Sequence, residues 1–118
     1  MLKRFKKIFF PKKPVIEDIE NQVEKILFEL IEEMNELRPE DQKIAKEKST
    51  QLFGEDGVLD SLEVVNLIVA LEQRIQSDLD FAITLADEKA MSQKRNPFRS
   101  IESLADYAIM LIKEKQQG

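Results

Sequence analysis

The stretch Gly57-Val58-Leu59-Asp60-Ser61-Leu62-Glu63-Val64-Val65-Asn66-Leu67-Ile68-Val69-Ala70-Leu71-Glu72 reads as a turn, a helix start and an amphipathic helix in succession. Gly54 and Gly57 flank Glu55-Asp56, a turn pattern, because glycine accepts backbone angles closed to other residues. Asp60 can then cap the helix by accepting from an amide in its first turn. Glu63, three residues on, can reach back to the Asp60 amide, which makes the pair a capping box. Leu62, Val65, Leu67, Ile68, Leu71 and Ile75 follow at helical spacing and supply an apolar face, with the end expected near residue 75.

The pattern extends outward from this helix. Upstream, Ile16, Ile19, Val23, Ile26, Leu27, Leu30, Ile31, Met34 and Leu37 step mostly by three and four, with Glu and Lys opposite, and Pro39 ends that helix. Between 40 and 58 the pattern weakens, leaving a polar piece through Ile44 and Ala45 that is compatible with a short helix. Downstream, Phe81, Ile83 and Leu85 alternate with Ala82 and Thr84 as in a strand. With no partner strand evident, the expectation is an extended connection pinned by its apolar residues. A short helix is expected over 87–93, interrupted by Asn96-Pro97. Ser100 then caps a last helix to about residue 115, with Ile101, Leu104, Ala105, Ala108, Leu111 and Ile112 inward. The fold class is therefore all-α: a small four-helix bundle of three main helices and one short one over residues 15–118.

Composition agrees and narrows the chemistry. Three Gly and four Pro against 35% charged residues suit solvated helices better than turn-rich β architectures. The chain has no Cys, which removes disulfides and thiolate nucleophiles and suits a reducing cytoplasm. It has no His, which removes the commonest general base and the commonest transition-metal ligand. No catalytic residue and no metal ligand is assigned. The net charge of −5 is uneven: residues 1–14 hold six basic side chains and no acid, while the other 12 basic residues face 23 acids, a balance of −11. An acidic body argues against nucleic acid as a partner and for basic protein surfaces. No apolar run approaches the roughly 20 residues that span a bilayer, and the start of the chain lacks the small-residue cleavage site of a secretory signal.

The segment 57–72 resembles the prosthetic-group segment of acyl carrier proteins, and Phe98-Arg99-Ser100-Ile101-Glu102-Ser103-Leu104-Ala105-Asp106-Tyr107 resembles that family's last helix. The resemblance covers about residues 16–115 and is specific only over 57–72. It implies that Ser61 is the attachment point of 4'-phosphopantetheine, transferred from coenzyme A by a holo-acyl-carrier-protein synthase or another phosphopantetheinyl transferase. It also implies that acyl-loading and acyl-transferring enzymes are the partners, in fatty-acid, lipid or secondary-metabolite synthesis. Asp60, Leu62, Glu63, Val65, Asn66 and Val69 are the candidate partner contacts, with core burial an equal reading for Val65. Asn66, Gln73 and Arg74 stand where housekeeping fatty-acid carriers often place acids, which points to a specialised carrier.

Physical chemistry supports Ser61 independently. A helix amino end presents unsatisfied N–H groups and the positive end of the dipole, so a phosphodiester is tolerated there. The plainer role of Ser61 is a share in N-capping. Two other classes stay open: an aminoacyl or peptidyl carrier with the same arm, and an unmodified helical adaptor. A carboxylate enzyme built on Glu55 and Asp56 ranks last, since adjacent acids on a turn are usually solvated. In the basic arm, Leu2, Phe5 and Phe9 can share a face, so residues 1–14 can make weak contact with an anionic membrane.

Overall fold

Apolar side chains at three- and four-residue intervals give α1 (Ile16–Glu36) a stripe of Ile19, Val23, Ile26, Leu27, Leu30 and Ile31, all buried. The computed structural model describes residues 16–86 and 96–117. Within them the regular elements are α1, a 3-10 turn at Glu40–Gln42, α2 (Ser61–Leu79) and α3 (Ile101–Gln117), with no strand among the described residues. The arm 1–14, the short helix expected over 87–93 and the side chain of Ile16 lie outside the described residues.

α1 packs against both other helices. Arg38 meets Glu63 just beyond its carboxyl end, and Glu29 meets Arg74 nearer its middle, so α1 and α2 are antiparallel. Glu20 faces Lys113, while Glu24 reaches Lys48 beside the start of α3, so α3 also runs antiparallel to α1. Val64, Leu67, Ile68, Leu71, Ile75 and Leu79 of α2, and Ile101, Leu104, Ala105, Ala108, Ile109 and Ile112 of α3, complete one core. Burying each of the Val, Leu and Ile side chains stabilises by about 1.5–3 kcal/mol, which is the main drive toward this packing.

Four details differ from the sequence reading. Leu37, expected on the α1 stripe, is 90% exposed, because the helix ends at Glu36 and the chain tightens through 3-10-type bonds to Met34 and Asn35. Ile44 and Ala45 are not helical. The Asn35 side chain donates to the Ile44 carbonyl at 2.9 Å and accepts from its amide at 2.7 Å, so it serves both groups of a non-helical residue whose side chain is buried. α2 continues one turn past Ile75 to bury Leu79, and stops at Asp80, whose φ of 62° is left-handed and whose amide donates to the Gln76 carbonyl. Leu62 and Val65, expected on the α2 core face, are exposed, and Val64 is buried instead.

The connections are ordered by their own apolar residues. Phe81, Ile83 and Leu85 are buried while Ala82, Thr84 and Ala86 are exposed, as the extended reading of this segment expects. Glu72 holds its end by accepting from the amides of Leu85 at 2.6 Å and Ala86 at 3.3 Å. Ser100 caps α3: its Oγ accepts from the Ser103 amide at 3.0 Å, and Ser103 Oγ accepts from the Ser100 amide at 3.0 Å, a capping box built of two serines.

Candidate functional site

Ser61 is the first residue of α2, and its position is fixed by the residue before it. Asp60 is extended, at φ −84° and ψ 178°; its Oδ1 accepts from the Glu63 amide at 2.8 Å, while Glu63 Oε1 accepts from the Asp60 amide at 3.0 Å. The predicted capping box is therefore complete. It leaves Asp60, not Ser61, as the cap. The Ser61 side chain is exposed, and its hydroxyl has no hydrogen-bond partner among the described residues.

A longer chain of contacts holds this helix start. Arg38 donates to the second oxygen of Glu63 at 2.7 Å and to the Gln42 carbonyl at 3.1 Å, joining the end of α1 to the cap of α2. Arg38 carries no signal in the sequence, because it lies far from Glu63 along the chain and only the antiparallel packing brings them together. On the other side, the amide of Gly57 donates to the Gly54 carbonyl at 3.0 Å, and that of Leu59 to the Leu52 carbonyl at 2.9 Å. Gly54 is left-handed at φ +112°. Gly57 is needed for another reason: a Cβ there would stand 2.5 Å from the Leu52 carbonyl oxygen. The same segment is tied to the start of α3, through Leu52 donating to the Arg99 carbonyl at 2.6 Å and Ile101 donating to the Thr50 carbonyl at 3.1 Å.

The outward side of α2 has a distinct chemistry. Its exposed positions ahead of Asp78 are Ser61, Leu62, Val65, Asn66, Val69, Gln73, Gln76 and Ser77, none of them charged. Leu62, Val65 and Val69 are 69%, 43% and 41% exposed and follow i, i+3, i+7 spacing, so they form one apolar stripe beginning beside Ser61. Asn66 also lines a groove of about 410 Å³ between α1 and α2, floored by Leu30, Met34, Leu67 and Ala70.

Every charge on α2 is already engaged. Glu63 holds Arg38, Glu72 holds the two amides after the helix, and Arg74 donates to Glu29 of α1 at 2.7 Å and to Asp78 at 3.0 Å. Hydrogen bonding to Glu29 raises the pKa of Arg74 above its usual value, and the hydrogen bond from Arg74 lowers that of Asp78. Arg74, expected as a basic replacement on the partner-facing side, is instead the link between two helices.

The arrangement presents the Ser61 hydroxyl at the surface with no side chain bonded to it among the described residues. The chain has no His or Cys to serve as its base. Glu55 and Asp56 are exposed on their turn. Among the described residues, no group of three or more carboxylates is placed to hold a metal ion, and no helix is long and apolar enough to cross a membrane. No family model matches the chain, and no curated protein or solved structure matches it either.

Proposed function

We propose that this chain is a carrier protein of the acyl-carrier type, which holds acyl groups as thioesters on 4'-phosphopantetheine attached to Ser61. The observation that carries the reading is the exposed, unengaged Ser61 hydroxyl at the capped start of α2. In the attachment step, Ser61 Oγ attacks the phosphorus of coenzyme A that bears the pantetheine. The phosphoanhydride bond breaks, adenosine bisphosphate leaves, and the hydroxyl proton passes to a base of the transferase. The new phosphodiester lies at the amino end of α2, where unpaired amides and the helix dipole favour its negative charge by about 0.3–1 kcal/mol.

All later chemistry belongs to partner enzymes, which load and unload the terminal thiol. On this reading the described helices are three of the four expected in the bundle, and the protein works in the cytoplasm beside enzymes that consume coenzyme A. The stripe of Leu62, Val65 and Val69, with Asn66 between, is the surface those enzymes meet when they reach Ser61.

Intact mass decides between the readings. Incubation with coenzyme A and a broad-specificity transferase is expected to add one phosphopantetheine to the wild type and none to Ser61→Ala. An unchanged wild-type mass, beside a control carrier that is modified, supports the adaptor reading instead. Identifying the enzyme that loads the thiol separates an acyl carrier from an aminoacyl or peptidyl carrier.

A further inference from the structure

The basic arm has no role in the carrier reading, and the end of the molecule from which it emerges has a groove to receive it. This groove runs between α1 and the carboxyl-terminal half of α3. Its floor is Ile109 and Met110, the latter 46% exposed, and its rims carry Glu20, Glu24, Asp106 and Glu114. Lys113 and Lys48 pair with Glu20 and Glu24; Lys48 also attracts Asp106 at longer range, and neither Asp106 nor Glu114 has an ion-pair contact within 4.0 Å among the described residues. Apolar floor and acidic rim are the complement of a segment that alternates Phe, Ile and Leu with Lys and Arg.

Position favours the same occupant. α1 begins at Ile16, one helical turn before Glu20, so the chain preceding it enters at the groove's own end. From Asp106 to Glu114 the groove is about 12 Å long at 1.5 Å per helical residue. Residues 1–14 extended can span up to about 46 Å, so reach is not limiting. Tethering gives such a segment an effective concentration in the millimolar range toward its own body. A bilayer has no such advantage. An anionic one attracts the +6 arm but repels the body of −11.

We infer that residues 1–14 dock in this groove, with Leu2, Phe5 and Phe9 against Ile109 and Met110 and the basic side chains at Asp106 and Glu114. The contact covers the one large exposed apolar side chain of α3 and neutralises part of the body's charge. The groove's α1 residues, Glu20 and Glu24, lie about 18–24 Å along the helix from the end nearest Ser61. The inference therefore stands or falls independently of the carrier reading.

The chain has no Cys, so Ile8→Cys provides a unique site for a nitroxide label on the full-length protein. The expected result is paramagnetic broadening of amide resonances concentrated at residues 20–24 and 106–114. It should be lost in a labelled chain that also carries Lys3→Glu, Arg4→Glu, Lys6→Glu and Lys7→Glu, changes that leave every described residue intact. Met110→Asp, a groove-side variant checked for an unchanged helical spectrum, should also abolish it. Broadening that is absent from this groove, or that survives reversal of the arm's charge, overturns the proposal. So does transfer of the unlabelled full-length chain onto vesicles containing phosphatidylglycerol at physiological salt, with loss of the broadening when the same vesicles meet the labelled chain; a membrane is then the occupant.

Discussion

At the scale of single residues, the site depends on two positions that do no chemistry. Gly57 lets the chain pass within van der Waals distance of the Leu52 carbonyl, and Asp60 supplies the cap that starts α2 one residue before Ser61. Gly57→Ala should destabilise by about 1–3 kcal/mol, since the added methyl meets backbone rather than a yielding side chain. Asp60→Ala should cost about 1 kcal/mol through the lost cap and, on the carrier reading, should slow the modification of Ser61 as the first turn frays. Urea denaturation midpoints and the rate of mass increase check both; an unaltered midpoint for Gly57→Ala would remove the argument from close approach. Asp60, Glu63 and Ser100 were legible because capping is local, with all the partners within three residues. Arg38 was not, because its partner Glu63 is set by tertiary packing. The choice between Val64 and Val65 was not legible either: apolar residues cover a wider arc of α2 than the core does, and periodicity alone cannot say which edge of that arc stays wet.

Between elements, the coupling of α1 to α2 rests on buried apolar contact and on Arg74, which holds Glu29 across the interface and Asp78 along its own helix. Arg74→Gln should lower stability by about 0.5–1 kcal/mol at neutral pH, a modest loss because the partners are partly exposed. The loss should depend on acid in a defined direction. The Asp78 carboxyl is lowered from 3.8 in the fold, so its contribution is complete above that value and disappears as the pH falls through the lowered one. Thermal melts of both proteins from neutral pH downward should show the gap constant above about pH 5 and narrowing progressively below it, as the pH falls through 3.8 and then through the lowered value. A gap that narrows near neutrality would mean that another group couples the helices. The elements were read from the sequence in type and order, and their ends less well. α2 continued past Ile75 because burial of Leu79 outweighed the weak helix preference of Ser77 and Asp78. α1 stopped short of Leu37 as the next amides turned to i−3 carbonyls, and Ile44 stayed out of a helix because the Asn35 side chain offered its backbone another partner.

Across the whole molecule, charge is distributed so that the outward side of α2 differs from the rest. The body carries −11, yet the exposed side of α2 is neutral from Ser61 to Ser77 because its charged residues are engaged inward or along the flanks. A partner drawn by the body's overall field would therefore complete its contact on Leu62, Val65 and Val69, where affinity depends on apolar area rather than on charge pairs. On the carrier reading, this predicts how partner reactions respond to salt and to substitution. Modification of Ser61, or acyl transfer to its thiol, should slow only mildly between ionic strengths of about 0.01 M and about 0.15 M, over which the screening length falls from about 30 Å to about 8 Å. Asn66→Glu places a charge in the neutral strip; it should raise the rate with enzymes that have a basic docking surface, mainly at low salt, and make the salt dependence steeper. Val69→Ser should lower the rate at both ionic strengths alike, because a lost apolar contact is not screened. Rates from intact mass for the three proteins at the two salt levels decide the matter. A wild-type salt dependence as steep as that of Asn66→Glu would mean that charge, and not the apolar stripe, governs docking, while leaving Ser61 as the attachment site untouched.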